Sequence, residues 1–152
     1  MTQFAVTLDR IISAPRAKVY RAWLDPTVLA RWMGPEGHSV LNATVDERVG
    51  GAHHLEMLGA DGTYYSFVSV IEELVPDERI VLTFKFHWDA EDTLLTLTFR
   101  DADGGGTALR LVHEQITLSP PLDGQSVDTG WTQTLAKLQT YFDTDFAKEA
   151  TP

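Results

Sequence analysis

The sequence predicts an α+β fold in which a curved antiparallel sheet of about six to seven strands packs against a long C-terminal helix. Three observations support this fold class. Apolar and polar residues alternate over residues 3–12 and again between 38 and 117, turn signals divide these stretches, and residues 127–146 change to a helical period. Connections this short cannot hold the crossover that parallel strands need, so the strands should be antiparallel.

The N-terminal part is predicted to form one strand followed by two short helices. The alternation over residues 3–12 predicts the strand. Ser13 is expected to cap the first helix, with Pro15 in its opening turn. Asp25-Pro26 repeats this start signal, and the segment 34–37, which holds two glycines and a proline, ends the second helix.

Residues 38–117 are predicted to form the remaining strands. Turn signals fall at Gly50-Gly51, at 60–62, at Pro76-Asp77 and at 103–106. The clearest strand runs from Arg79 to Trp88 and places on one face Ile80, Leu82, Phe84, Phe86 and Trp88. The next two strands are expected to turn inward Leu95, Leu97, Phe99, Leu109, Leu111, His113 and Gln115.

The C-terminal part is predicted to form a long amphipathic helix. Its apolar residues recur at helical spacing, and they are Val127, Trp131, Leu135, Leu138, Phe142 and Phe146. An apolar face of this length must be buried, and the sheet is the only partner large enough. The helix should therefore lie against the sheet.

Composition excludes several functional classes. The length of 152 residues suits a single domain over 1–152, and the lack of cysteine excludes disulfides, thiolate metal sites and a cysteine nucleophile. The formal net charge of −10 repels phosphate backbones and anionic lipid, so we predict neither nucleic-acid nor membrane binding. The chain shows no signal-peptide pattern and no apolar run near the roughly 20 residues of a membrane helix, so a cytoplasmic location is expected.

Short motifs along most of the chain carry a family resemblance. They are Ile12-Ser13-Ala14-Pro15 with Val19 and Ala22-Trp23, Trp32 with Gly34-Pro35, Asp46-x-Arg48-x-Gly50-Gly51 with Met57, Pro76-x-Glu78-Arg79, Gly105-Gly106-Thr107, and Gly130-Trp131 with Leu135 and Leu138. In this order the sequence resembles the START-like (SRPBCC) superfamily. More narrowly, it is similar to the bacterial proteins related to the activator of the heat-shock-protein-90 ATPase.

The resemblance implies a helix-grip fold, in which the long helix lies over the concave face of the sheet and leaves a cavity beneath it. Ligands in the superfamily range from lipids and hormones to polyketides, and a few relatives are cyclases, aromatases or other enzymes. The narrower family takes its name from eukaryotic co-chaperones. Because folds of this kind serve many functions, the resemblance implies the fold and its cavity but leaves the function open.

Strand parity and the helical stripe together predict a set of ligand-binding residues on the inner surface. This set comprises Trp32, His53, Leu55, Met57, Tyr65, Phe67, Phe84, Phe86, Leu95, Leu97, Leu111, His113, Trp131, Leu135 and Leu138. If the interior is packed solid, the aromatic members are core residues instead. If a cavity remains, they form a wall suited to a flat or aliphatic ligand.

His53 and His113 are the titratable residues expected to face inward. Each could donate a hydrogen bond to a ligand or act as an acid–base catalyst, or it could be a core histidine bonded to a backbone carbonyl or to water. We predict no cofactor and no metal site. His53, His54 and Glu56 lie close together in the sequence, but strand alternation sends neighbouring side chains to opposite faces.

Three hypotheses for the function follow. The first is binding of a small apolar molecule, by a carrier, sensor or sequestering protein. The second is an enzyme of cyclase, hydrolase or isomerase type that uses His53 or His113. The third is a co-chaperone-like interaction with a chaperone partner, which the family name suggests.

Overall fold

The computed structural model describes residues 3–85, 92–117 and 124–146 of the chain. Its strands and α-helices, in chain order, are β1 (Gln3–Ile12), α1 (Arg16–Ala22), α2 (Pro26–Trp32), β2 (Ser39–Val45), β3 (Ala52–Leu58), β4 (Tyr64–Val75), β5 (Arg79–Phe84), β6 (Thr93–Asp101), β7 (Thr107–Thr117) and α3 (Gly124–Thr140). A 3₁₀ turn covers Asp103–Gly105, and a π-helical segment over Tyr141–Phe146 continues α3. The predicted α+β fold class is confirmed.

One curved sheet contains the seven strands of the described ranges, in the order β1-β7-β6-β5-β4-β3-β2. All neighbours pair antiparallel, and β1 joins the last strand, so α1 and α2 carry the chain from one edge of the sheet to the other. The predicted strand from Arg79 to Trp88 is described as far as Phe84. Phe86 and Trp88 lie outside the described residues.

The alternation in the sequence corresponds to the two faces of this sheet. In β6, Leu95, Leu97 and Phe99 are at most 2% exposed, and they alternate with half-buried threonines and a leucine. The inner face of β7 continues the same core with Leu109 and Leu111. Burial of a large apolar side chain is worth about 1.5–3 kcal/mol, so this face supplies much of the driving force for folding.

The two N-terminal helices start differently. For α2 the prediction is confirmed, since the Asp25 carboxylate accepts a hydrogen bond from the Thr27 N–H at 2.9 Å and Pro26 fills the first helical position. For α1 the predicted Ser13 cap is wrong. Pro15 itself is the N-cap residue, with an extended backbone, and its carbonyl accepts from Lys18 and Val19. The helix therefore begins one residue after the proline.

The predicted inward position of Gln115 is also wrong. Gln115 is exposed with a φ of 63°, whereas Ile116 is 1% exposed. Phe4 pairs with Ile116 and Val6 with His113, so β7 contains one more residue than β1 between these two pairs. An extra residue of this kind is a β-bulge, and it exchanges the two faces for every residue beyond it.

The long helix packs against the concave face of the sheet, as its stripe predicts. Val127, Trp131, Leu135, Leu138 and Phe142 are all buried, while the side chain of Phe146 lies outside the described residues. A hydrogen bond of 3.0 Å from the side chain of Gln139 to the Ile11 carbonyl ties the helix to β1. Within the described ranges, no helix is long and apolar enough to cross a membrane.

Replacement of Gly130 by Ala is expected to stabilise the protein by about 1 kcal/mol. Gly130 lies inside α3, where glycine is less favourable than alanine, and an added Cβ would meet only Pro35 Cγ, at 3.6 Å. That distance is an ordinary van der Waals contact. Urea unfolding followed by circular dichroism measures the effect. A midpoint lower than that of the wild type would contradict the expected increase.

Candidate functional site: an apolar cavity beneath the C-terminal helix

A cavity of about 200 Å³ lies between α3, the inner face of β3 to β5 and the segment that follows α2. Its wall is mainly apolar, and the described residues place no carboxylate, lysine or arginine in it. The lining residues are Met33, Gly34, Pro35, His38, Leu55, Met57, Tyr65, Phe67, Phe84, Val127, Gly130, Trp131 and Thr134. The space beneath the helix is therefore not completely filled by side chains.

Aromatic rings form one side of the cavity. Tyr65 and Phe67 are two residues apart on β4, so both point inward, and their rings are nearly parallel with centroids 6.2 Å apart. Phe84 on β5 continues the row, 5.2 Å from Phe67, and Trp131 of α3 lies 5.8 Å from Phe84. Such contacts between rings are worth about 0.5–1.5 kcal/mol each beyond burial. The wall combines two strands and the helix into one aromatic surface.

The segment after α2 forms the opposite side. Gly34 has a φ of 99°, and an added Cβ would come within 3.0 Å of the Met57 sulfur, so the backbone approaches β3 closely here. The neighbouring Glu36 N–H donates to the side-chain oxygen of Gln133 at 3.2 Å, and Lys137 donates to the His38 carbonyl at 3.3 Å. These two bonds tie the segment to α3.

Most polar groups near the cavity already have partners within the protein. The Thr134 hydroxyl donates to the Gly130 carbonyl at 2.7 Å, within the same helix. Partial burial lowers the pKa of Lys137, whose ammonium lies at the rim beside His38. The His38 ring is half-buried at the mouth, 5.5 Å from the ring of Tyr65. Leu55, Phe67 and other apolar side chains form most of the remaining wall.

His113 lies directly behind the aromatic wall and has no exposed surface. Its Nδ1 accepts a hydrogen bond of 3.0 Å from the Trp131 indole, and its Nε2 is 2.6 Å from the Thr93 hydroxyl oxygen. That hydroxyl donates in turn to the Phe84 carbonyl. Burial lowers the pKa of His113 to about 4, so the ring is neutral at physiological pH.

His53 is buried on the inner face of β3, as its parity predicts. Its Nε2 donates to the Trp23 carbonyl at 2.9 Å, and burial lowers its pKa. It therefore lies against the end of α1 and does not line the cavity. The core interpretation of this histidine, in which a backbone carbonyl satisfies the ring, agrees with this contact.

Six of the predicted ligand-binding residues line the cavity, namely Leu55, Met57, Tyr65, Phe67, Phe84 and Trp131. The other described members are buried outside its wall, namely Trp32, His53, Leu95, Leu97, Leu111, His113, Leu135 and Leu138. Trp32, for example, donates from its indole to the Ala22 carbonyl at 3.2 Å. Phe86 lies outside the described residues. A role in ligand binding stays a prediction for the whole set.

Sequence reasoning missed a second group of lining residues. They are Met33, Gly34, Pro35, His38, Val127, Gly130 and Thr134. Glycine is unfavourable inside a helix, so Gly130 stands out within the helical pattern, and this is a signal that could have drawn attention to it. Among the described residues, no cluster of three histidine, aspartate or glutamate side chains could hold a metal ion. His54 and Glu56 lie on the outer face of β3, opposite His53.

The family model of the Activator of Hsp90 ATPase homolog 1-like proteins matches residues 13–143. The chain belongs to this family. Among solved structures, protein CV1439 from Chromobacterium violaceum is 37% identical, with a TM-score of 0.79, and the match covers 91% of this chain and 96% of that one. A search of curated proteins finds no match.

More distant structures share the fold of this Hsp90-activator-like family. An uncharacterised protein from Rhizobium leguminosarum is 23% identical over 93% of this chain and 95% of its own, with a TM-score of 0.80. CalU16 from Micromonospora echinospora is 21% identical over 95% of this chain and 79% of its own, with a TM-score of 0.67. The predicted membership of the START-like superfamily agrees with the family match and with the 37% identical structure.

Proposed function

We propose that the protein binds a small hydrophobic ligand in the cavity beneath α3, as a carrier, sensor or sequestering protein. The observation that carries the proposal is the cavity itself, which remains between the helix and the sheet although most of the residues around it are buried. Its wall is built largely from aromatic and aliphatic side chains, with few polar groups. Ligand sites commonly combine an apolar wall with a small number of polar groups.

The volume limits the size of the ligand. A cavity of about 150 Å³ in another protein binds benzene, and drug-sized ligands occupy sites of about 300–1,000 Å³. The cavity of about 200 Å³ lies between these cases. A ligand of one or two rings, or a short branched chain, fits this space, and the ring wall favours an aromatic one.

The enzyme hypothesis has less support than binding. Both ring nitrogens of His113 and the Nε2 of His53 already form hydrogen bonds within the protein. Neither imidazole belongs to the cavity wall, so neither contacts a ligand bound there. Binding requires only the apolar surface that lines the cavity.

Replacement of Thr134 by Phe is expected to abolish binding, because the larger ring would occupy the cavity. Thr134 is 2% exposed and lines the cavity from α3. The test uses isothermal titration calorimetry with two neutral probes that fit this volume, the one-ring ethylbenzene and the two-ring indole. A reduction in affinity of at least about tenfold is expected. Burial of one aromatic ring contributes more than about 1.4 kcal/mol to the binding free energy, and that amount corresponds to a factor of ten.

Thr134→Val is the matched control. Valine has nearly the same shape as threonine and removes only a hydroxyl that is bonded within the helix. It should therefore bind both probes as the wild type does. If the wild type binds neither probe, or if the Phe variant binds them unchanged, the proposal of a ligand cavity is wrong.

A further inference from the structure

We infer that His113 is a specificity-determining residue, which binds the Trp131 indole N–H from behind the cavity wall and so excludes ligands that place a hydrogen-bond acceptor there. This inference rests on the proposed function, since it concerns the polarity of the ligand that the cavity takes. It predicts that the part of the ligand that lies against the Trp131 indole is an aromatic or aliphatic group without a hydrogen-bond acceptor. His113 would thus act on the ligand through Trp131, as a positioning residue.

Three hydrogen bonds link Trp131, His113, Thr93 and Phe84 in series. The donor at one end and the acceptor at the other determine the direction of each bond. An indole N–H can only donate, so the Nδ1 of His113 accepts from Trp131 at 3.0 Å and carries no proton. The neutral ring then has its proton on Nε2, which donates to the Thr93 hydroxyl oxygen at 2.6 Å. The Thr93 hydroxyl uses its own proton on the Phe84 carbonyl, which can only accept.

The position of the imidazole links this series of hydrogen bonds to the cavity. Its ring packs edge-on against Phe84, with centroids 5.1 Å apart, and against Trp131 at 6.0 Å. Both of these rings line the cavity, whereas His113 does not. One side chain on β7 therefore fixes two wall residues, one on β5 and one on α3.

A ligand acceptor at this wall would find no free hydrogen-bond donor on the indole. The indole of Trp131 brings an N–H donor to this aromatic wall, and His113 already occupies it. A ligand carbonyl buried against the indole would give up its bonds to water without replacement, which lowers affinity. Removal of the imidazole would leave the indole N–H without its acceptor beside a newly opened space, where a ligand acceptor could take its place.

Ethylbenzene and acetophenone provide a matched pair of ligands, because they have similar shape and differ mainly by a carbonyl group. The ratio of their dissociation constants is measured by calorimetry for the wild type, His113→Ala and His113→Gln. We expect the wild type to prefer ethylbenzene. In His113→Ala the ratio should move toward acetophenone by about fivefold to tenfold, the equivalent of one neutral hydrogen bond.

His113→Gln is the control variant. Its amide oxygen can accept from the Trp131 indole and its amide nitrogen can donate to Thr93, so it should keep the preference of the wild type. A general loosening of the core would change both ligands alike and leave the ratio constant. If both ligands bind the wild type but the ratio in His113→Ala stays unchanged, the inference is wrong and the proposed function stands. If neither ligand binds the wild type, the proposed function itself fails.

A measurement on the wild type keeps the inference testable if His113→Ala does not fold. Nitrogen-15 NMR of the imidazole distinguishes the two neutral tautomers. We expect the proton on Nε2 and an indole N–H of Trp131 that exchanges slowly with solvent, because it is bonded and buried. A proton on Nδ1, or rapid exchange of that indole N–H, would overturn the inference.

Discussion

Between pH 7.5 and pH 5, the wild type is expected to lose about 2 kcal/mol more unfolding free energy than the His113→Gln variant. Burial of the imidazole lowers the pKa of His113 from 6.5 to about 4. The unfolded chain therefore takes up a proton in this range while the folded protein does not. Each pH unit over which only the unfolded state is protonated costs about 1.4 kcal/mol.

The sign follows from the direction of the shift. Above pH 6.5 the ring is neutral in both states, so the full stability is present, and it falls as the pH drops toward 4. Over that whole window the loss approaches about 3 kcal/mol. Urea unfolding at several pH values, followed by tryptophan fluorescence, gives the two curves to be subtracted.

His53 does not confuse this comparison. Burial lowers its pKa too, but it is present in both proteins, so its contribution cancels in the difference. The glutamine that replaces His113 in the variant does not titrate, and its amide can accept from Trp131 as the imidazole does. Equal slopes for the two proteins between pH 7.5 and 5 would show that His113 titrates normally in the folded state.

Replacement of Gly51 by Ala is expected to destabilise the protein by about 3 kcal/mol or more. A Cβ on Gly51 would overlap the Asp46 carbonyl oxygen and lie 2.9 Å from the Arg48 carbonyl oxygen. Both obstacles are backbone atoms of the turn between β2 and β3, so no side-chain rotation relieves them. The turn must open, which breaks the 2.8 Å hydrogen bond from the Gly51 N–H to the Arg48 carbonyl.

Gly50→Ala is the matched control at the adjacent position. Gly50 has a φ of 86° but no atom within 4 Å of an added Cβ, so the variant bears only the cost of a left-handed residue, about 1–2 kcal/mol. Chemical denaturation of both variants measures the difference. If Gly51→Ala is no less stable than Gly50→Ala, the close approach of the backbone at Gly51 is not a real constraint.

Much of the fold could be predicted because local patterns and tertiary packing agree. The inner side chains of β6, and of β7 as far as His113, alternate with outer ones, as Leu97 and Leu111 do, and the sheet buries one face. The Asp25-Pro26 signal works because its two parts act locally, within one helical turn. Gln115 fails because a bulge changes parity at one residue, and the pattern of residues carries no local sign of it.

The candidate site was harder to predict because it depends on where the helix crosses the sheet. Parity assigns Phe84 and His113 to the same face but does not say which of them lines the cavity. The segment from Met33 to His38 has no period, so its position depends on contacts with other elements, such as the two hydrogen bonds of its backbone to α3 and the contact of the His38 ring with Tyr65 of β4. The spacing of residues along one element does not determine how that element is placed relative to the others.

The fixed indole of Trp131 also affects the entropy of association. Its orientation is set when the chain folds, by the 3.0 Å bond to the Nδ1 of His113, and the rings of Phe84 and Phe67 follow in the same row. A side chain that is already immobilised has little rotational freedom left to lose. The binding of a rigid ligand to these rings would therefore avoid much of the entropic cost of ordering side chains, which is roughly 0.5–1.5 kcal/mol for each free side chain.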